Sequence, residues 1–169
     1  MMNYNDTHFL IIACTISNII AVLILWISIK KPKLARLLFF LLFGWACWLN
    51  YTTCHDHPQV YLSYAHFSIG LYKNFINGWF KDHITVMVSF IAAGQGLIAL
   101  GMLLNGVWVK TACIGAILFL MAIAPFGIGS GFPFSLIVSF AAYFILRKDD
   151  KSYLWKNDKT YSWEINKHN

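Results

Sequence analysis

Five long apolar runs constrain this chain more than any other feature of its sequence. The first, 8–29, carries no charged residue, and the others follow at 34–51, 84–104, 111–124 and 132–146. A bilayer core about 30 Å thick is crossed by roughly 20 apolar residues in a helix. The runs therefore predict an all-α integral membrane protein with five spans in one membrane domain, 1–146, followed by a tail, 147–169.

The composition favours a lipid environment over a soluble class. Hydrophobic residues make up 59% of the chain and charged residues only 12%, whereas soluble domains carry about 25% charged residues. The net charge of +6 would suit nucleic acid, but the basic residues cluster between the first two runs and after the last one. That placement is typical of membrane topology signals. The four cysteines include no CxxC pair, which excludes zinc-ribbon and thioredoxin-like motifs.

The distribution of lysine and arginine predicts the orientation. The short loop 30–36 has four basic residues and no acid, and six more basic residues follow Leu146. Cytoplasmic loops are enriched in these residues. With five alternating spans, only Lys73 and Lys81 of the 13 Lys and Arg fall outside. The N-terminus is therefore predicted outside and the C-terminus in the cytoplasm, and Arg36 is expected to extend its side chain to the interface.

Two segments between the runs do not fit a simple bundle. The outer segment 52–83 has apolar residues near helical spacing, which predicts one or two amphipathic helices at the outer interface, broken near Gly70 and Gly78. The segment 125–133, PFGIGSGFP, is too rich in Gly and Pro to continue a helix. Two interpretations stay open for it: an exposed turn, or a loop that dips into the outer leaflet and forms the floor of a pocket.

Four stretches of the chain follow a pattern found in one family of membrane proteins. They are RLLFFLLFGWACWLN from Arg36, His57-Pro58 ahead of a half-apolar segment, FIAAGQGLIALGMLLNG from Phe90, and FGIGSGFP between two short runs. Together they make 36–146 resemble the DoxX-like family of small four-helix membrane proteins, with 8–29 as an extra N-terminal span. The resemblance implies a link to quinone or thiol redox systems, often as a subunit of a larger assembly. Gln95 stands where that family often has an acid.

Polar residues on the outer side are candidates for metal and redox chemistry. His55, His57 and His66 are candidate ligands for zinc, copper or iron, because His55 and His57 would share a face of an extended segment. Cys47 and Cys54 are candidate redox cysteines, since an oxidising exterior permits disulfides and dithiol exchange. The alternative is that the histidines are ordinary interfacial residues and the cysteines are small core residues.

Uncharged polar groups inside the runs suggest either a binding pocket or helix packing. Gln95 lies in the middle of a run among small residues, where it can bond a neighbouring helix or hold the polar end of a quinone or lipid. Trp48 and His66, toward the outer side, complete this candidate cofactor site. No Asp, Glu, Lys or Arg lies deep in a run, which argues against an ion-coupled transporter. The chain also contains no HExxH, P-loop or GxGxxG motif.

Two functions are compatible with these features. The first is a small, non-catalytic subunit of a larger membrane assembly, respiratory or redox, that stabilises other integral membrane subunits and contributes a lipid or quinone pocket. The second is a DoxX-like membrane oxidoreductase that passes electrons from its outer Cys and His groups to quinone. The sequence leaves open whether the chain is an enzyme.

Overall fold

Helices form all the regular structure in the described part of the chain. The computed structural model describes residues 4–66, 68–130 and 132–154. Its α-helices are α1 (Tyr4–Lys30), α2 (Pro32–Asp56), α3 (Gly70–Phe75), α4 (Ile84–Leu103), α5 (Val107–Ile123) and α6 (Phe134–Lys148). Two 3₁₀ segments, Pro58–His66 and Ala124–Ser130, and a π turn, Ile76–Phe80, join them. The predicted all-α class is confirmed, while residues 155–169 of the predicted tail lie outside the described ranges.

Four helical segments of the described chain are long and apolar enough to cross a bilayer. They are Ile11–Lys30, Pro32–Asp56, Ile84–Leu103 and Val107–Gly127. Several segments of this kind are typical of an integral, multi-pass membrane protein, as the sequence predicted. The fifth predicted span corresponds to α6, which has 15 residues. A helix of that length extends only about 22 Å, so α6 does not belong to this group.

Helix boundaries differ from the predicted spans at two places. α2 continues to Asp56, five residues beyond the predicted end of the second run, and the hydroxyl of Thr52 bonds back to the Trp48 carbonyl at 3.0 Å inside it. α5 begins at Val107, before the predicted start at 111. α5 is therefore longer than the predicted fourth span. Lys110 is an exposed residue of its first turn and does not interrupt the helix.

The long helices alternate in direction. α6 packs between α1 and α5, and α2 packs on α4. The Lys148 ammonium donates to the Ile29 carbonyl at 3.5 Å, and the Gly106 N–H donates to the Lys151 carbonyl at 2.7 Å. The last turns of α1 and α6 and the α4–α5 turn therefore lie together. We call this end of the bundle, with the basic residues around it, the basic end.

Arg36, at the start of α2, is buried at the basic end. Its Nε donates to the Met102 carbonyl at 2.9 Å, and its Nη1 donates to Asp149 Oδ1 at 3.0 Å and to the Ser152 carbonyl at 2.7 Å. Its Nη2 donates to the Leu104 carbonyl. The predicted extension of this side chain to the interface is wrong, because the last carbonyls of α4 lack intrahelical partners and the guanidinium satisfies two of them.

The opposite end of the bundle, which we call the far end, is closed by residues 58–80. The hydroxyl of Thr85 in α4 donates to the Cys54 carbonyl of α2 at 3.0 Å, which ties these two helices together there. The chain then turns at the predicted glycines, since α3 begins at Gly70 and Gly78 has non-helical φ and ψ of −96° and −116°. A buried cluster fills this end, made of Cys54, Tyr61, Ala65, Ile76, Phe80, Ile84 and Val88.

Candidate functional site

A cavity of about 450 Å³ lies mainly between α2, α4 and α5 toward the far end, and Ser17 of α1 and Phe134 of α6 also line it. The walls contributed by α2 are Leu42, Phe43, Trp45, Ala46 and Asn50. Those contributed by α4 are Met87, Val88, Ile91 and Gln95. Phe119, Leu120 and Ile123 of α5 form the third side. The volume is in the range of about 300–1,000 Å³ that small-molecule sites occupy.

Residues from 58–66 and 68–80 line the cavity at the far end, together with the segment that follows α5. The Tyr72 hydroxyl donates to the Ala122 carbonyl at 3.0 Å, and the Ile69 N–H donates to the Pro125 carbonyl at 3.4 Å. The Phe126 ring packs against Tyr72, with centroids 4.9 Å apart, and lines the cavity. The chain turns directly after it at Gly127, whose φ of 61° is rarely adopted by other residues. Phe126 of the segment 125–133 therefore contributes to the wall of the cavity.

Three polar side chains form a hydrogen-bonded chain that ends at the cavity. The Tyr61 hydroxyl donates to Asn50 Oδ1 at 2.9 Å, and Asn50 Nδ2 donates to Gln95 Oε1 at 2.9 Å. Gln95 is only 3% exposed, although it lines the cavity. The chain therefore links the 3₁₀ segment, α2 and α4 through uncharged groups.

The cavity is neutral. Its titratable side chains within the described residues are Tyr61 and Tyr64. Burial, with a smaller contribution from Cys54, raises the pKa of Tyr61 to about 12. Burial also raises the pKa of Tyr64 above its usual value. Both phenols therefore keep their protons at physiological pH, and the cavity suits an uncharged molecule.

The three predicted metal ligands do not come together in the structure. His55 lies in the last turn of α2, where its Nδ1 is 2.7 Å from the Tyr51 carbonyl and 3.3 Å from Cys54 Sγ. His57 caps that helix and His66 ends the following 3₁₀ segment, and all three histidines are exposed. The predicted extended geometry is wrong, because α2 continues through Asp56 and His57 caps it. Residues two apart in a helix are rotated by about 200° around its axis and so point to nearly opposite sides. Within the described residues, no three His, Cys, Asp or Glu side chains are grouped for a metal ion.

The predicted redox cysteines lie on α2 and are free, as are Cys14 and Cys113. Cys47 and Cys54 are seven residues apart, which separates their Cα atoms by about 10 Å along a helix. A disulfide requires about 7 Å or less. Cys54 Sγ is buried beside Ser89 Oγ at 3.6 Å, and the Cys47 sulfur packs where Gly96 leaves room. Neither residue lines the cavity.

Of the three residues predicted to hold a cofactor, only Gln95 lines the cavity. Trp48 is 62% exposed on another face of α2, and His66 is exposed at the far end. Asn50 and Tyr61 were not predicted as site residues from the sequence. Asn50 carried a usable signal, since it is an uncharged amide in an apolar run, as Gln95 is, and such groups usually bond a neighbouring helix.

Comparison of the chain with protein-family models, with curated proteins and with solved structures gave no match.

Proposed function

We propose that this chain is a small membrane subunit whose cavity binds one neutral, largely apolar molecule, of the lipid or quinone class. The observation that carries the proposal is the 450 Å³ cavity with apolar walls and the buried Tyr61–Asn50–Gln95 chain at its edge. Binding sites of this kind combine mostly apolar and aromatic walls with a few fixed polar groups. The polar groups would orient the molecule, and the burial of apolar surface would supply the affinity.

The binding proposal is tested by filling the cavity. Replacing Ala46, which lines the cavity, with phenylalanine is expected to remove any bound lipid or quinone that copurifies with the protein, because the ring occupies the space. Organic extraction and mass spectrometry of the purified protein measure the loss. The matched control is Ala93→Phe on the exposed face of α4, which should retain the molecule. Equal amounts of bound molecule in both variants would contradict the proposal.

Binding is expected to be independent of pH between about 6 and 9. The pKa values of Tyr61 and Tyr64 are both raised by burial, so both phenols stay neutral throughout this range. The amounts of the copurified molecule retained after equilibration at about pH 6, 7.5 and 9 measure this. A loss at either extreme would show that an ionised group takes part, and the neutral site would then be wrong.

We further propose that all five long helices cross the membrane, with the N-terminus outside and the C-terminus in the cytoplasm. The alternating directions of α1, α2, α4, α5 and α6 and the basic residues at one end support this topology. α3 and the π turn would then lie at the outer interface. A reporter that is active only in the cytoplasm, fused after Asn169, is expected to be active. Activity of the same reporter fused before Met1 would overturn the orientation.

We also propose a role as a subunit, which rests on the lack of charged side chains among the described residues that line the cavity. Membership of the DoxX-like family rests on the sequence resemblance of 36–146. The partners would be other integral membrane subunits, respiratory or redox. Copurification in mild detergent tests this role, since a subunit is expected to elute with stoichiometric partners. A chain that elutes alone with a bound quinone or metal would overturn it.

An oxidoreductase is the second candidate function. It is favoured by the contact between Cys54 Sγ and His55 Nδ1 at 3.3 Å. Nδ1 carries a proton, since it also lies 2.7 Å from the Tyr51 carbonyl, and an imidazole N–H beside a sulfur can stabilise a thiolate. Replacing Cys14, Cys47 and Cys54 together by serine should leave a binding subunit functional. Loss of electron transfer in an intact assembly would favour the oxidoreductase instead. His55→Gln would then reproduce the loss, whereas His66→Gln would not.

A further inference from the structure

The direction of the polar chain determines which atoms the cavity offers to a ligand. The Tyr61 hydroxyl is closer to Asn50 Oδ1, at 2.9 Å, than to the Asn50 backbone carbonyl, at 3.2 Å. At the shorter contact the phenol donates its single proton to the side-chain oxygen of Asn50. With that oxygen toward Tyr61, the amide nitrogen of Asn50 faces Gln95 and donates to Gln95 Oε1 at 2.9 Å. The hydrogen bond from Tyr61 thus belongs to the amide orientation in which Gln95 Oε1 faces Asn50.

As a consequence, Gln95 turns its amide nitrogen, with two protons, away from Asn50. Within the described part of the chain no hydrogen bond from Gln95 Nε2 is formed, although the residue is 3% exposed and lines the cavity. An amide donor that faces an apolar cavity without a partner costs free energy. Tyr64 also lines the cavity, and its hydroxyl has no hydrogen-bond partner among the described residues. At Gln95 the cavity thus presents amide protons, while Gln95 Oε1 and Asn50 Oδ1 each already accept one hydrogen bond.

We propose that the cavity selects a neutral molecule with a carbonyl oxygen on an apolar body, in preference to an alcohol or a hydrocarbon of the same length. This inference rests on the proposed binding function. A carbonyl oxygen accepts from Gln95 Nε2 and brings no proton of its own. An alcohol can accept the same bond, but its own proton then needs an acceptor near Gln95, where both amide oxygens already accept one hydrogen bond each. A hydrocarbon leaves the amide protons unsatisfied. Gln95 is the specificity-determining residue, and Tyr61 is a positioning residue that acts through Asn50.

Carbonyl oxygens on apolar bodies occur both in ketones, including quinone rings, and in the esters of lipids. Four probes of similar length distinguish these possibilities: a thirteen-carbon methyl ketone, its secondary alcohol, its alkane and methyl laurate. The protein is purified in dodecyl maltoside, which has no ester, and apparent Kd values are obtained from the rise of Tm with probe concentration. The ketone is expected to bind about tenfold more tightly than the alkane and about threefold more tightly than the alcohol, as one additional hydrogen bond predicts. The ratio of ketone to ester affinity identifies the source of the carbonyl.

Two variants test the roles of the side chains. Gln95→Leu is expected to bind ketone and alkane with equal affinity, and Gln95→Met serves the same purpose if the leucine variant does not fold. Tyr61→Phe leaves both amides in place but removes the phenol donor, so each amide can flip and exchange the positions of its oxygen and nitrogen. The ratio of ketone affinity to alcohol affinity should then fall toward one. If Tyr61 had a merely structural role, the substitution would lower the affinity for all four probes by the same factor. Trp48→Leu, on the exposed face of α2, is the control and should leave every ratio unchanged.

The outcomes separate this inference from the function on which it rests. If none of the four probes raises Tm in the wild-type protein, the proposed binding function is wrong. If all four bind equally well and Gln95→Leu changes none of the affinities, the cavity binds apolar molecules but the inferred selectivity for a carbonyl is wrong.

Discussion

Replacing Arg36 with methionine is expected to lower the free energy of unfolding by about 3–5 kcal/mol, the range found when one partner of a buried ion pair is removed. The guanidinium is fully buried and bonds Asp149 Oδ1 and the carbonyls of Met102, Leu104 and Ser152. Methionine fills much of the same volume but satisfies none of these groups, and it leaves a buried carboxylate without its counter-charge. Denaturant-induced unfolding in mixed micelles measures the difference.

The appropriate control removes the same charge at the same end of the bundle. Arg147→Met changes an exposed residue of the last turn of α6, and we expect a change below about 0.5 kcal/mol. Arg36→Met combined with Asp149→Leu should recover part of the lost stability, because no isolated buried charge remains. A double variant that is less stable than Arg36→Met alone would contradict the view that the unpaired carboxylate causes the loss.

Replacing Gly101 with alanine is the second change with a large expected effect, a loss of about 1–3 kcal/mol, typical of an overpacked core. A Cβ at this position would lie 2.7 Å from the Ala112 Cβ and 3.2 Å from the Trp108 carbonyl oxygen of α5. Both of those atoms are held by the helix and cannot rotate away. α4 and α5 would have to separate, and the same unfolding measurement detects the cost.

Gly94 in the same helix is the matched control. A Cβ there meets no atom within 4 Å, and alanine favours helix by up to about 1 kcal/mol over glycine. Gly94→Ala should therefore be neutral or stabilising. If the two alanine variants have the same stability, then α4 and α5 are not as close at Gly101 as the structure has them.

Much of the fold could be predicted from the sequence, because helix formation in an apolar run depends on local chemistry. A run of about 20 apolar residues must satisfy its backbone hydrogen bonds internally, so helices are the expected result. The breaks at Gly70 and Gly78 were also predictable, since glycine permits backbone geometry that ends a helix. The end of α2 was not, because His55 and Asp56 were assigned to the outer segment 52–83 and instead continue the helix.

The candidate site was harder to predict, because it depends on which side chains meet across helices. His55 and His57 were predicted to share one face as metal ligands, yet α2 continues through Asp56 and turns the two apart. Gln95 was identified from its polarity in an apolar run, but its bond to Asn50 joins residues 45 positions apart. Tyr61 could not be recognised, since a tyrosine at an outer segment has the same appearance in sequence whether it is exposed or buried.

The sequence by itself determined that this chain is helical, suited to lipid, and basic at particular loops, because hydrophobicity and charge act through composition and spacing along the chain. Only the tertiary structure determined which partners its polar groups contact. It buried Arg36 against Asp149, and it joined Tyr61, Asn50 and Gln95 at the edge of one cavity. The physical reason is that hydrogen bonds and ion pairs require contact within about 3 Å. Such contacts between distant residues arise only when the helices pack.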